Sequence, residues 1–140
     1  MSNAELKSDQ VERLVRHAID ARDQAYAPYS HFYVGAALML FDDRILTGCN
    51  VENASYSLTL CAERVAAVNA VASGYRHWRA IAVASVGGVA PCGACRQFLA
   101  EFQLDIPVIM VDVIDGAKRI SKLSKLLPDA FDGSSLPSST

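Results

Sequence analysis

The segment Pro91-Cys92-Gly93-Ala94-Cys95 places two thiols three residues apart at the start of a predicted helix. Side chains with this spacing face the same way, and the helix dipole lowers the pKa of a thiol at the helix N-terminus. Such a pair is suited to bind a soft metal ion. Cys61, which also stands at a predicted helix start, is the natural third ligand. A catalytic zinc site takes three protein ligands and leaves the fourth position to water.

Glu63 stands two residues after Cys61 in the same predicted helix. That spacing puts the carboxylate close to the metal but on a different side of the helix, where it is more suited to proton transfer than to ligation. The rest of this helix is mostly apolar, and an unpaired carboxylate there is costly unless it has a function. The pairing of thiols with Glu63 therefore predicts hydrolysis at a metal centre.

Two other interpretations of the cysteines stay open. Free cysteines often pack as small hydrophobic residues, so the thiols could be structural. Alternatively, Cys49 could complete a closed structural zinc site in an interaction module without catalysis, which would unfold when the metal is removed. Two points argue against this closed site. Cys49 lies on a predicted strand with no second ligand nearby, and a closed site would give Glu63 no function.

The composition excludes several classes of function. Thirteen Lys and Arg against fifteen Asp and Glu give a net charge of −2, which provides no overall attraction to nucleic acid or anionic lipid. The sequence contains no apolar run long enough to cross a bilayer, and its polar first ten residues do not resemble an export signal. We therefore expect a soluble, cytoplasmic protein with reduced thiols and no nucleic-acid or membrane partner.

Hydrophobic patterns predict alternating helices and strands. Too few residues separate the last two predicted strands for a parallel crossover, so these strands should be antiparallel. The Ser-rich end of the chain predicts a mobile C-terminal tail over residues 133–140, after a single domain over residues 1–132. Helices are predicted from Ser8 onward and over residues 61–73, 92–102 and 123–127, and strands over residues 32–41, 44–49, 80–86, 107–113 and 118–121.

The sequence resembles the small homotetrameric, zinc-dependent cytidine deaminases in four blocks that occur in the same order. A Cys-x-Glu followed by Pro-Cys-x-x-Cys is the signature of zinc deaminases. The similarity covers nearly the whole chain from the first helix to Leu127-Pro128. The blocks are Tyr29-Ser30-His31-Phe32 with Val34-Gly35-Ala36-Ala37, Gly48-Cys49-Asn50-Val51-Glu52-Asn53-Ala54-Ser55-Tyr56, Cys61-Ala62-Glu63-Arg64, and Pro91 through Gln97.

For the metal centre, the resemblance implies one Zn²⁺ per subunit, with Glu63 as the catalytic proton shuttle. The ligands implied are Cys61, Cys92 and Cys95. Arg64 and Arg96, each directly after a metal-binding block, are implied to hydrogen-bond the sulfurs and withdraw electron density from them.

For the substrate, the resemblance implies that Asn50 and Glu52 hydrogen-bond the ribose hydroxyls and that Phe32 lies beside the base. Base selection is expected to use backbone groups around Ala62 and Ala90 together with Glu63. Across subunits of a homotetramer, Phe131 is implied to close the neighbouring site, with Tyr56 at the shared boundary. The implied reaction is hydrolytic deamination of cytidine and 2′-deoxycytidine to uridine and 2′-deoxyuridine, with release of ammonia, in pyrimidine salvage.

The resemblance and the predicted elements together imply an α/β fold. We expect a three-layer α/β/α sandwich with a mixed five-stranded sheet and the metal between two helix starts. Tyr33, Ser57 and Ala90 depart from the family pattern, and none of them is a predicted ligand. A deaminase of modified nucleosides, of the blasticidin S type, is the alternative within enzymes, and the Asn50 and Glu52 pair argues against it. A polynucleotide-editing deaminase is disfavoured, because no basic and aromatic stripe is present.

Overall fold

The computed structural model describes residues 5–137 of the chain. Within these residues the elements alternate along the chain much as the hydrophobic pattern predicts. The helices are α1 (Ser8–Arg22), α2 (Ala62–Ala72), α3 (Gly93–Ala100) and α4 (Leu123–Leu126), and 3-10 turns occupy Tyr56–Leu58 and Gly133–Ser135. The strands are β1 (Gly35–Leu40), β2 (Ile45–Cys49), β3 (Trp78–Ser85), β4 (Pro107–Asp112) and β5 (Lys118–Lys122).

The five strands form one mixed sheet in the order β2-β1-β3-β4-β5. β3 lies at the centre, antiparallel to β1 and parallel to β4. Antiparallel pairs β1–β2 and β4–β5 form the two edges. The parallel pair requires a long crossover connection, and α3 lies in it, directly before β4.

Helices cover both faces of the sheet, so the predicted α/β/α sandwich with a mixed five-stranded sheet is confirmed. One face packs against the apolar side of α1, through Leu14 and Ala18. The other face packs against α2, α3 and α4, through residues that include Ala66 and Leu99. Neighbouring residues of β1 alternate between these two clusters, because successive side chains of a strand point to opposite faces.

The start of α2 lies unusually close to the sheet at Gly48. A Cβ at this position would lie 2.4 Å from the backbone nitrogen of Ala66 and 2.6 Å from the carbonyl oxygen of Ala62. These distances are shorter than any side chain could tolerate. Because Gly48 has no side chain, the first turn of α2, next to Cys61, can pack directly on β2.

The predicted strand over residues 32–41 begins later, at Gly35. Phe32 donates its N–H to the Ser30 hydroxyl, and its carbonyl accepts from the Asn50 side chain. Its backbone groups are therefore bound to side chains instead of a neighbouring strand. Residues 32–34 form a loop that leads into β1.

Part of the predicted tail is described by the structure. Asp132 accepts a hydrogen bond from the Ser134 N–H, which caps the 3-10 turn at Gly133–Ser135. Residues 138–140 lie outside the described residues, and the predicted mobility of the tail stays a prediction. None of the helices in residues 5–137 is long and apolar enough to cross a membrane.

Candidate metal centre and active site

Three thiols converge between the starts of α2 and α3. The Cys92 Sγ lies 3.8 Å from the Sγ of Cys61 and 3.5 Å from that of Cys95. All three sulfurs lie within 4.8 Å of one another. In a tetrahedral zinc site with Zn–S bonds of about 2.3 Å, the sulfurs are about 3.8 Å apart. The spacing and the soft donor set of the thiols therefore fit a zinc ion.

Both helix N-termini point at this cluster. Cys61 is the N-cap residue of α2, and Cys92 is the N-cap residue of α3. Neither N-cap side chain hydrogen-bonds the helix backbone, so the positive ends of two helix dipoles face the sulfurs. Cys95 follows in the first turn of α3 and is fully buried. These dipoles favour the thiolate form that metal binding requires.

Cys61 is placed to ionise readily. Its hydrogen bond with Cys95 lowers the pKa of Cys61 to about 5, and the Arg64 guanidinium contributes to the same shift. The Arg64 Nη2 lies 3.5 Å from the Cys61 Sγ and 3.4 Å from the carbonyl oxygen of Thr59. Arg64 is thus placed to offset the negative charge that thiolates accumulate at this centre.

Arg96 does not hydrogen-bond a thiol, contrary to the sequence-based expectation. Its Nε donates to the Pro91 carbonyl over 2.7 Å, and its Nη1 donates to the Leu126 carbonyl over 2.6 Å. The guanidinium is therefore held by two backbone carbonyls, one before α3 and one in α4. Arg96 therefore joins the loop before Cys92 to the end of α4.

Glu63 lies in the first turn of α2 with only 5% of its surface exposed. Burial, assisted by the nearby charge of Cys61, raises the pKa of Glu63 to about 7, while its own backbone N–H and Arg64 oppose the shift. A carboxyl group that titrates near neutral pH can both accept and return a proton. Its position beside the thiol cluster is what general acid and base catalysis at a metal centre requires.

Asn50 is buried and braces the loop before β1. Its Oδ1 accepts the Val34 N–H over 2.9 Å, and its Nδ2 donates to the Phe32 carbonyl over 2.7 Å. The backbone at Asn50 is itself held, since its carbonyl accepts from the Tyr26 N–H. The side chain therefore fixes Phe32 while retaining one N–H and one acceptor position for another partner.

Glu52 accepts hydrogen bonds from the same loop. Its Oε1 accepts the N–H groups of Tyr29 at 3.0 Å and Ser30 at 3.1 Å, and its Oε2 accepts the Ser30 hydroxyl. These bonds, led by that of the Ser30 side chain, lower the pKa of Glu52. Glu52 is therefore an ionised carboxylate. Spacing in the sequence gave no role to Ser30, whose partner is distant along the chain.

The remaining predicted substrate residues differ in exposure. Ala62, at the N-terminal end of α2, is fully buried, whereas Phe32 is partly exposed. Tyr56 is 75% exposed and packs edge-on against Tyr29, with the ring centroids 6.0 Å apart. Phe131 is 58% exposed, and its carbonyl accepts from the Gln97 side chain. Within one chain these two rings cover no core and present apolar surface to the outside.

Cys49 lies outside the thiol cluster. Among residues 5–137, the three thiols of Cys61, Cys92 and Cys95 form the one group of possible metal ligands, and Cys49 is not part of it. Burial raises the pKa of Cys49, as expected for a thiol packed at the end of β2. This placement argues against the closed four-cysteine site considered from the sequence.

Three thiols at two helix N-termini, with a buried carboxyl group beside them on an α/β/α sandwich, are the arrangement of a metal-dependent hydrolase. A family model described as "Cytidine and deoxycytidylate deaminase zinc-binding region" matches residues 8–111. The chain belongs to this cytidine and deoxycytidylate deaminase family.

Individual relatives agree with this assignment. A cytidine deaminase of Sporosarcina psychrophila is 48% identical over 124 residues, covering 86% of this chain and 90% of the relative. The crystal structure of a cytidine deaminase from Burkholderia pseudomallei superposes with a TM-score of 0.83 at 48% identity, covering 86% of this chain and 98% of the other. The corresponding structure from Mycobacterium tuberculosis gives a TM-score of 0.75 at 41% identity, with coverage of 86% and 96%.

Proposed function

We propose that this chain is a zinc-dependent cytidine deaminase that hydrolyses cytidine and 2′-deoxycytidine to uridine and 2′-deoxyuridine. The observation that carries the proposal is the buried carboxyl group of Glu63 beside three converging thiols. Cys61, Cys92 and Cys95 would hold one zinc ion per chain. When bound, the ion supplies the Lewis acidity that makes water a nucleophile near neutral pH. A role in pyrimidine salvage in the cytoplasm, where thiols stay reduced, is consistent with this chemistry.

Glu63 moves the protons of the reaction. With a pKa of about 7, its carboxylate accepts a proton from the attacking water and delivers it to N3 of the cytosine ring. As the C4–N bond breaks, the same group transfers the hydroxyl proton from C4 to the amine, which leaves as ammonia. One carboxyl group therefore serves as base and then as acid. Its burial keeps bulk water from competing for these transfers.

Charge balance supports the same assignment. Three thiolates and a divalent cation sum to −1, which would weaken the metal as a Lewis acid. Arg64 beside Cys61 and the two helix N-termini offset that charge. The chain thus uses soft ligands without losing the acidity that hydrolysis needs.

The polar groups of Asn50 and Glu52 suit an unmodified sugar. Glu52 is an ionised acceptor, and Asn50 retains both a donor and an acceptor position. Sugar hydroxyls can satisfy both side chains, and Phe32 belongs to the loop that both of them bind. We therefore assign Asn50 and Glu52 to the sugar, Phe32 to the face of the base, and the backbone at Ala62 to the base edge.

Purified protein loaded with one zinc per chain is expected to convert cytidine with a kcat of about 1 to 1,000 per second. The measurement is the change in ultraviolet absorbance, with ammonia quantified in parallel. 2′-Deoxycytidine should also react, whereas free cytosine should be a poor substrate because it leaves the remaining hydrogen-bond positions of Asn50 and Glu52 unfilled. Preference for deoxycytidylate or for a modified nucleoside would contradict the substrate assignment.

We further propose a homotetramer whose active sites are completed across subunits. Monomeric proteins rarely leave a large contiguous apolar patch exposed. Here the segments around the site expose many apolar side chains, and Phe131 extends from the C-terminal segment. The exposed side chains are Tyr26, Tyr29, Val51, Tyr56, Leu58, Leu60 and Phe131.

Sedimentation equilibrium is expected to give about four times the mass of one 15.1 kDa chain.

Phe131→Ala should raise KM for cytidine while the three thiols still bind zinc, because an aromatic wall of the neighbouring site is lost. Ile114→Ala, at an exposed residue of the β4–β5 turn, is the matched control. A fully active species with the mass of a single chain would exclude shared sites.

A further inference from the structure

One hydroxyl group connects two residues assigned to substrate binding. The Ser30 Oγ donates its hydrogen to the Glu52 Oε2 and accepts the Phe32 N–H over 3.0 Å. Glu52 comes from the segment after β2, and Phe32 from the loop before β1. Ser30 is thus bonded both to the carboxylate assigned to the sugar and to the backbone of the ring assigned to the base.

The hydrogen bonds of Glu52 leave one acceptor position of its carboxylate free. An ionised carboxylate offers about four acceptor positions, two on each oxygen. Oε1 already accepts two backbone N–H groups, from Tyr29 and Ser30. Oε2 accepts the Ser30 hydroxyl and has one position left. Any further partner must be a donor that approaches Oε2, the oxygen whose direction Ser30 sets.

The conformation of the loop depends on such side-chain contacts. His31 has a φ of 56°, in the left-handed region that residues other than glycine rarely adopt. The loop contains no strand pairing at this point, and its backbone is held by the Ala27 carbonyl and by Ser30, Asn50 and Glu52. Removing the Ser30 hydroxyl therefore takes one hydrogen bond from Glu52 and one from Phe32 at the same time.

We propose that Ser30 is a positioning residue that aims the free acceptor of Glu52 at a sugar hydroxyl and fixes Phe32 beside the base. This inference rests on the proposed nucleoside deaminase function and deepens its specificity. Ser30 itself does not act on the reacting atoms. Its hydroxyl makes recognition of the sugar and recognition of the base depend on each other.

The test compares Ser30→Ala with the unsubstituted zinc enzyme on cytidine, 2′-deoxycytidine and 3′-deoxycytidine. For cytidine, KM is expected to rise about tenfold while kcat changes by no more than about twofold, since a hydrogen bond to a charged group is lost from binding alone. The increase in KM should be at least about threefold smaller for one of the two deoxynucleosides, the one that lacks the hydroxyl bound by Glu52.

Matched variants separate this role from a general effect on folding. Ser30→Thr retains a hydroxyl, whereas Ser30→Val has nearly the shape of threonine but carries a methyl group in place of the hydroxyl. The KM of Ser30→Thr should therefore be close to that of the unsubstituted enzyme, and the KM of Ser30→Val should be raised. Ser121→Ala, which removes a hydroxyl from β5, should leave KM and kcat unchanged for all three substrates. Zinc content and the unfolding temperature are measured for every variant, and the Thr and Val pair remains decisive if Ser30→Ala does not fold.

Equal effects of Ser30→Ala on all three nucleosides, or equal KM values for Thr and Val, would overturn the positioning role. A fall in kcat with unchanged KM would overturn it as well, because it would place Ser30 in the chemical step. If the unsubstituted protein binds zinc but leaves cytidine unchanged, the proposed function itself fails, and this inference fails with it. The two failures are therefore distinguishable by the unsubstituted enzyme alone.

Discussion

Replacing Glu63 by glutamine is expected to lower kcat for cytidine by about 1,000-fold or more while the protein keeps its bound zinc. Glutamine has nearly the shape of glutamate but cannot accept and return a proton. Each proton transfer assigned to Glu63 would then have to pass through solvent, from which this side chain is almost fully shielded. Turnover and zinc content are measured on the same preparation.

Stability provides a second readout for the same variant. Because burial disfavours the ionised carboxylate of Glu63, a neutral amide should leave the unfolding temperature unchanged or raise it. Glu12→Gln, at an exposed position of α1, is the matched control and should alter neither activity nor zinc content. If Glu63→Gln kept more than about a tenth of the kcat of the unsubstituted enzyme, Glu63 would not be the proton shuttle.

Cys95→Ser is expected to reduce bound zinc to background and to abolish turnover. The serine hydroxyl does not ionise as the thiol does, so two thiolates would remain where three are needed. Cys95 is fully buried in the first turn of α3, and no other residue of the thiol cluster can take its place. Metal analysis and kinetics measure the two losses, and the unfolding temperature should fall because the stabilisation from bound zinc is lost.

Cys49→Ala is the control for this experiment, because Cys49 lies outside the cluster and its removal should preserve zinc and activity. Chelation of the unsubstituted protein should also abolish turnover, and added zinc should restore it. Retention of one zinc per chain and of activity in Cys95→Ser would show that the ligand set is wrong. If the chelated protein unfolds completely, the ion has the structural role of an interaction module.

Parts of the site could be predicted from sequence because their determinants are local. Cys92 and Cys95 lie within one turn of the same helix, and Cys61 and Glu63 within one turn of another, so helical geometry alone relates each pair. Apolar runs, with alternation at residues 44–49, likewise indicated the strands. The order of the strands in the sheet was not contained in these patterns, since it depends on packing between distant segments.

The features that sequence analysis missed depend on long-range contacts. Arg96 was expected at the thiols, but its Nη1 binds the carbonyl of Leu126, thirty residues away in the chain. The predicted strand began too early because the side chains of Ser30 and Asn50 bind the backbone of Phe32. Neither a backbone carbonyl nor a hydroxyl leaves a signature in residue spacing, so these partners became visible only in the folded chain.

The central position of β3 has a consequence for how the protein is made. Cys61 precedes β3 in the chain, whereas Cys92 and Cys95 follow it, so the strand separates the first ligand from the other two. During synthesis, Cys61 leaves the ribosome as an isolated thiol and can join a three-sulfur site only after β3 has been made. The three-sulfur site therefore cannot take up its ion until Cys95 has been synthesised, so an early supply of the ion is of no use to the growing chain.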